Sequence, residues 1–186
     1  MSANAADLCL IADLKAWLNI SGISDDVMLQ NLITRVSVTM QNWMNRTIPS
    51  AIYTETRDGN GSDTLVMPNM PITDVASVTV GGTAIPESPD GVQPGFVFGE
   101  WAVYLIGYRF STGRRNVKIV YTAGFASTPF DLAQACLEQC AYQYRAKGHI
   151  GQSSTGMGPE HISFTDHDFT PGTETLMKQY KSVVPL

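Results

Sequence analysis

Leu29, Leu32, Ile33, Val36, Met40, Trp43 and Met44 fall at intervals of three and four. That spacing predicts a helix of about four turns with one apolar stripe facing a core. Ser24 or Asp25 stands where an N-cap belongs, and Asp26 puts negative charge at the positive end of the helix dipole. Ahead of it, Leu14, Trp17 and Leu18 share one face of a shorter helix that Gly22 ends. A second long stripe, made of Ala133, Cys136, Leu137, Cys140, Ala141 and Tyr144, predicts a helix near 131–147. Pro129 suits its first turn, Asp131 its positive end, and Arg145 and Lys147 its negative end, with Gly148 as the stop. Immediately upstream, Val117, Ile119 and Tyr121 alternate with Lys118 and Val120, a strand with one buried face that leads into this helix. The three stripes need partners, so Trp17, Leu32, Val36, Met40, Leu137 and Tyr144 are expected to form one core.

Between the helices the texture changes to short alternating runs divided by glycine, proline and asparagine, as in antiparallel β structure. Runs at 53–57 and 64–67 flank the turn Asp58-Gly59-Asn60-Gly61, and Pro68 and Pro71 bracket a crossing. Runs at 75–80 and 83–85 flank Gly81-Gly82, a two-residue hairpin signal, because a tight hairpin needs positive φ at its centre. Strand texture resumes at 96–98 and 101–106, followed by a basic turn at 108–115. The expected fold class is α+β: a helical core from 1–48 and 129–147, with an inserted antiparallel β-sandwich or barrel-like region of about six or seven strands at 49–128. The segment 148–186 reads as a flexible glycine- and serine-rich loop, a short helix and a tail. On that short helix Leu176, Met177 and Tyr180 make one face. A helix so short is marginal alone and needs a docking surface, which is expected on a neighbouring subunit or partner.

A length of 186 residues fits one domain carrying an insertion, and 44% hydrophobic with 16% charged residues fits a folded chain. The net charge of −5 argues against a surface that grips nucleic acid everywhere. A local patch remains: Arg109, Arg114, Arg115 and Lys118 lie within ten positions, either a solvated hairpin tip or a contact for an acidic partner or for DNA phosphates. The start, MSANAADLCLIADLK, has no basic region before its short apolar run, so neither a secretory leader nor a membrane span is expected. Three cysteines, an odd number, fit free thiols in a reducing compartment.

Cys136 and Cys140 stand one helical turn apart, but no second pair with zinc spacing accompanies them, and core packing is the expected role. His161, Asp166, His167 and Asp168 form a cluster of acid–base groups in a glycine-flanked loop, with nothing nearby to fix their geometry. The glycines of 148–158 lack the Gly-Lys-Ser or Gly-Lys-Thr ending of a phosphate loop, and there is no Gly-x-Ser-x-Gly elbow. No catalytic residue, cofactor or metal is therefore expected, and the chain does not read as an enzyme. An alternative function is a β-sandwich module that recognises a glycan or peptide through Trp101, Tyr104, Tyr108 and Phe110, although core packing explains alternating aromatics as well.

Several stretches occur in an order that resembles a known family: Asp13-Leu-Lys-Ala-Trp-Leu, then Trp43-Met-Asn-Arg46, Leu65-Val-Met-Pro, Met70-Pro-Ile-Thr-Asp-Val-Ala-Ser-Val, and Val120-Tyr-Thr-Ala-Gly-Phe with Pro129-Phe-Asp-Leu following. Over residues 8–147 the chain resembles the head-to-tail connector proteins of tailed bacteriophages, the adaptor or head completion proteins. The resemblance implies a structural virion protein at the head-to-tail junction: a homo-oligomeric ring of about a dozen copies below the portal protein. The ring would extend the channel for genomic DNA, without sequence-specific binding, and receive a tail stopper or tail-terminator protein. It implies no catalytic residues, cofactor or metal. The sites to watch are then Arg109, Arg114, Arg115 and Lys118 as partner or DNA-channel contacts, and Leu176, Met177 and Tyr180 as docking contacts of the tail.

Overall fold

The computed structural model of the chain describes residues 4–147, 154–157, 160–163 and 169–182. The chain forms two compact units, one drawn from Met1–Arg46 and Thr128–Val183, the other from Thr47–Ser127. The class is α+β, with helices and one two-stranded antiparallel ribbon in the first unit and two larger antiparallel sheets in the second.

The helical unit contains α1 (Ile11–Leu18), α2 (Asp26–Met44), α3 (Phe130–Ala146) and α4 (Pro171–Tyr180). Leu14, Leu29, Ile33, Val36, Met40, Met44, Leu132, Cys136, Cys140 and Met177 are fully or almost fully buried and fill its core. The faces foreseen on α1, α2 and α3 are thus the packed ones, but two residues expected in the core are not buried in it. Trp17 is 48% exposed, because on the short α1 it is Leu14 that turns inward. Tyr144 is half-buried, and its hydroxyl reaches the Asp25 carboxylate at 2.8 Å. Asp25 occupies the N-cap position of α2 but caps nothing with its side chain. The first two helices end at Asn19 (φ 57) and Asn45 (φ 53), not at a glycine. In each case the left-handed asparagine and the residue after it return their N–H groups to the last turn: Asn19 to Ala16 and Ile20 to Lys15, Asn45 to Asn42 and Arg46 to Gln41.

Gln30, Thr34, Ser37 and Gln41 of α2 form a polar stripe at helical spacing, and it holds the irregular segment before α1. Gln30 Nε2 and Thr34 Oγ1 donate to the Asp7 carboxylate at 2.6 and 2.7 Å. Ser37 Oγ accepts from Leu8 N–H at 2.9 Å, and Gln41 Nε2 donates to the Ala6 carbonyl at 2.9 Å. The segment has no helix or ladder of its own at these positions, so side chains supply the partners its buried backbone requires.

The second unit is a sandwich of seven strands: β1 (Ala51–Gly59), β2 (Thr64–Val66), β3 (Ile72–Val80), β4 (Thr83–Ile85), β5 (Gly95–Phe98), β6 (Ala102–Ile106) and β7 (Gly113–Ala123). One sheet has the order β1-β7-β3-β4 and the other β2-β6-β5. Alternation on β7 buries Val117, Ile119, Tyr121 and Ala123, which join Val75, Val78, Leu65, Phe96, Val103 and Leu105 in one apolar cluster spanning both sheets. The Gly81-Gly82 hairpin is present, with φ of 56° and 85° and the pair Val80↔Thr83 closing it. Gly124 (φ 111°) permits a closer approach still: a Cβ there would stand 2.7 Å from the Pro49 carbonyl oxygen.

Two further strands, β8 (Ser154–Met157) and β9 (Glu160–Ser163), pair antiparallel, Thr155 opposite Ile162. They fall in the stretch expected to be a flexible loop. Glycine and serine content masked residues such as Thr155 and Ile162 that suit a strand. Residues 148–153, 158–159 and 164–168, which carry the rest of that expected loop and Asp166, His167 and Asp168, lie outside the described residues.

Candidate functional site

Three of the four basic residues, Arg109, Arg114 and Arg115, lie at one end of the sandwich, where β1 finishes and β7 begins. Only Arg109 lies in the connection; Arg114, Arg115 and Lys118 are on β7 itself, which starts at Gly113. All four are exposed. Lys118 sits mid-sheet, between Thr56 and Thr79, on the face opposite the core. Arg115 has φ of 50°, a left-handed conformation that costs a non-glycine residue about 1–2 kcal/mol. Two braces hold the bend. Arg115 N–H donates to the Asp58 carboxylate at 2.6 Å, while the Asn116 amide spans the turn, accepting from Gly59 N–H at 2.8 Å and donating to the Ser111 carbonyl at 2.7 Å. Arg109 reaches the Gly61 carbonyl, and Phe110 N–H donates to the Ser62 carbonyl at 2.8 Å. Among the described residues, no carboxylate forms an ion pair with any of these four basic side chains. The result is a preshaped cationic end suited to an anionic surface.

Of the four aromatic residues considered for a glycan or peptide face, one is not available to a ligand. Phe110 is fully buried in the sandwich core, while Trp101 and Tyr104 meet edge to face at 6.2 Å and Tyr108 is 39% exposed. A ligand platform needs its rings accessible together, and packing has taken one of the four.

The tail helix docks on its own unit. Thr170 caps α4, its Oγ1 accepting from Thr173 N–H with Pro171 in the first turn. Gln139, buried on α3, accepts from Thr170 N–H at 3.0 Å, and Thr173 Oγ1 donates to the Ala135 carbonyl at 3.5 Å. Met177 is fully buried, Leu176 and Tyr180 are half-buried, and the Tyr180 hydroxyl donates to Asp131. Trp43 meets Phe169 edge to face at 6.5 Å, and Arg46 donates to the Tyr180 carbonyl at 3.2 Å. The docking surface that a short helix requires is therefore supplied by α2 and α3, and Met177 belongs to the chain's own core.

Cys136 and Cys140 gain a third member that spacing did not reveal. Cys9 lies in the segment held by the polar stripe of α2, and the three thiols come within 4.8 Å of one another, all buried. Cys9 Sγ stands 3.6 Å and Ser37 Oγ 3.5 Å from Cys136 Sγ. Hydrogen bonds from Cys140, Cys9 and Ser37 lower the Cys136 thiol from its ordinary range, whereas the thiols of Cys9 and Cys140 are pushed up by donating to it and by burial.

Both units carry apolar side chains that nothing within the unit covers: Ile23 is 81% and Phe130 96% exposed in the helical unit, and Ile52 on the edge strand β1 is 75% exposed. Among the described residues no helix is long and apolar enough to cross a membrane.

These features define a two-unit α+β protein with surfaces suited to partners. The sequence matches the model of the family described as "Head completion protein" over residues 7–183, and the chain belongs to that family. No curated protein sequence matches it. Among solved structures the fold is similar to a chain from the "Neck of native GTA particle computed with C12 symmetry", with a TM-score of 0.62, 17% identity, and coverage of 100% of this chain and 94% of that one. It is also similar to a chain from the "Neck of empty GTA particle computed with C6 symmetry" (TM-score 0.61, 18% identity, 100% and 95% covered). A third match comes from the "Virion of native gene transfer agent (GTA) particle" (TM-score 0.60, 19% identity, 100% and 95% covered).

Proposed function

We propose that this chain is a structural adaptor of a phage-like particle, working at the head-to-tail junction as a ring of about a dozen copies bound below the portal protein. The ring extends the DNA channel and presents a docking site for the next tail component, a stopper or tail terminator. Membership of the head completion family carries this reading, and the likeness across the full chain to proteins from particle necks with sixfold and twelvefold symmetry supports it. In such a ring the exposed Ile23, Phe130 and Ile52 are the side chains that gain most from burial against neighbours, each worth about 1.5–3 kcal/mol when fully covered. The braced basic end, with Arg109, Arg114 and Arg115, and Lys118 farther along β7 contact either channel DNA or an acidic partner surface. The role requires no chemistry and assigns no catalytic residue.

The test is electron microscopy of the purified protein mixed with its portal. Ring density with rotational symmetry attached beneath the portal is expected. Portal particles that remain bare at saturating protein would overturn the proposal.

A further inference from the structure

Three thiols meeting in the helical unit is more than apolar packing requires. Cys136 and Cys140 share one face of α3, whereas Cys9 arrives from a segment 127 positions earlier and is positioned by bonds to α2. The same bonds place Ser37 Oγ beside Cys136, and Leu8 N–H occupies one of that oxygen's lone pairs from outside the cluster. In tetrahedral coordination with Zn–S near 2.3 Å and Zn–O near 2.0 Å, ligand sulfurs stand about 3.8 Å apart and an oxygen about 3.5 Å from each sulfur. The observed separations, 3.6 Å for Cys9 to Cys136 and 3.5 Å for Ser37 to Cys136, match those values, and no sulfur pair exceeds 4.8 Å.

We propose that Cys9, Cys136 and Cys140, with Ser37 Oγ in the fourth position, form a structural site for a thiophilic divalent cation of the zinc class. Its role is to fasten the segment before α1 to α2 and α3. Binding replaces three S–H protons, released to water, with three metal–thiolate bonds, and no electron is transferred. Every ligand is buried, so the site is closed and structural, without the open position that catalysis by a metal needs. The Leu8 N–H to Ser37 bond plays the part of an outer-shell contact that orients a ligand.

The experiment uses the full chain without an affinity tag, purified in reductant, equilibrated with Zn²⁺ and freed of unbound ion by gel filtration. Metal analysis should give one zinc per chain, with a melting temperature that falls when a chelator is added. Replacing Zn²⁺ with Cd²⁺ should give an ultraviolet thiolate-to-metal band of the intensity of three sulfurs. Cys136→Ala should abolish both signals. If that variant fails to fold, Ser37→Ala provides the reading, since it keeps three thiolates and should weaken Zn²⁺ affinity about 10-fold or more. The proposal fails if folded wild-type chain retains no zinc, if zinc persists at full stoichiometry in Cys136→Ala, or if air simply joins two of the thiols as a disulfide in chain that takes up no metal.

Discussion

Buried polar side chains are distributed unevenly between the two units. Gln30, Ser37, Gln41, Gln139 and Thr173 lie inside the helical unit, whereas Ser88 is the counterpart among the described residues of the sandwich. The difference follows from how each unit is assembled. The sandwich is one continuous stretch whose strands find their register through backbone ladders, so its interior can be nearly all apolar. The helical unit joins pieces from both ends of the chain, and apolar contact is not directional. Its non-helical pieces are therefore fixed by directional bonds: Ser37 and Gln41 hold the segment before α1, and Gln139 and Thr173 hold the approach to α4. Each such bond contributes about 0.5–1.5 kcal/mol when made, and the buried group costs about 1–3 kcal/mol when its partner is lost.

The strongest way to break this comparison is to remove α4. A chain ending at Gly148 loses the fully buried Met177 together with the Gln139 to Thr170 and Arg46 to Tyr180 bonds. Truncating one buried methionine alone costs about 2–5 kcal/mol, so the helical unit should lose at least that much, seen as an earlier loss of helical circular dichroism in urea. An unchanged midpoint would mean that α4 is only loosely attached, and the tail would again be free to serve as an arm for a partner.

Gly124→Ala is the matching test in the sandwich, where backbone fit, not side-chain bonding, is the constraint. The substitution puts a Cβ 2.7 Å from the Pro49 carbonyl oxygen at a φ of 111°, so backbone must shift. A loss of about 1–3 kcal/mol is expected in chemical denaturation. A neutral result would show that the 48–50 and 123–125 segments are free to separate.

What was legible in the sequence follows the same division. Apolar periodicity marks α1, α2 and α3, and the glycine pair marks the Gly81-Gly82 hairpin, because apolar stripes and positive-φ glycines are local signals. Asn19 ends α1 three residues before Gly22, and Asn45 ends α2, because asparagine can adopt the left-handed conformation that glycine more often signals. Hydrophobicity places Trp17 in the core, but a helix of eight residues buries a narrow face, and Leu14 fills it. The third thiol was hidden for a different reason: Cys9 meets Cys136 only through long-range folding, which no spacing rule records. The basic patch was visible as composition, whereas its bracing by Asp58 and Asn116 and the left-handed Arg115 were not.

The smallest expected effect sharpens the sandwich side of the comparison, where one polar network does sit at the margin of an apolar core. The Tyr121 hydroxyl donates to Glu55 at 2.6 Å and accepts from Asn69 at 3.0 Å, its ring stacks on Tyr53 at 5.5 Å, and Arg57 binds the other Glu55 oxygen at 3.2 Å. Burial first, and then donation to the Glu55 carboxylate, push the Tyr121 phenol above its ordinary value. Tyr121→Phe keeps the ring and removes one hydrogen bond, so near neutral pH it should cost about 0.5–1.5 kcal/mol. The sign at alkaline pH follows from a folded value raised above the unfolded one. The tyrosine's contribution is complete below about pH 10, and it declines above that as the unfolded chain releases a proton that the folded chain retains. Denaturation free energies of wild type and Tyr121→Phe should therefore converge by about 1.4 kcal/mol per pH unit once pH passes about 10, and then cross. Curves that stay parallel through that range would mean that the hydroxyl ionises as freely in the fold as in the open chain, and that the Glu55 contact does not hold its proton.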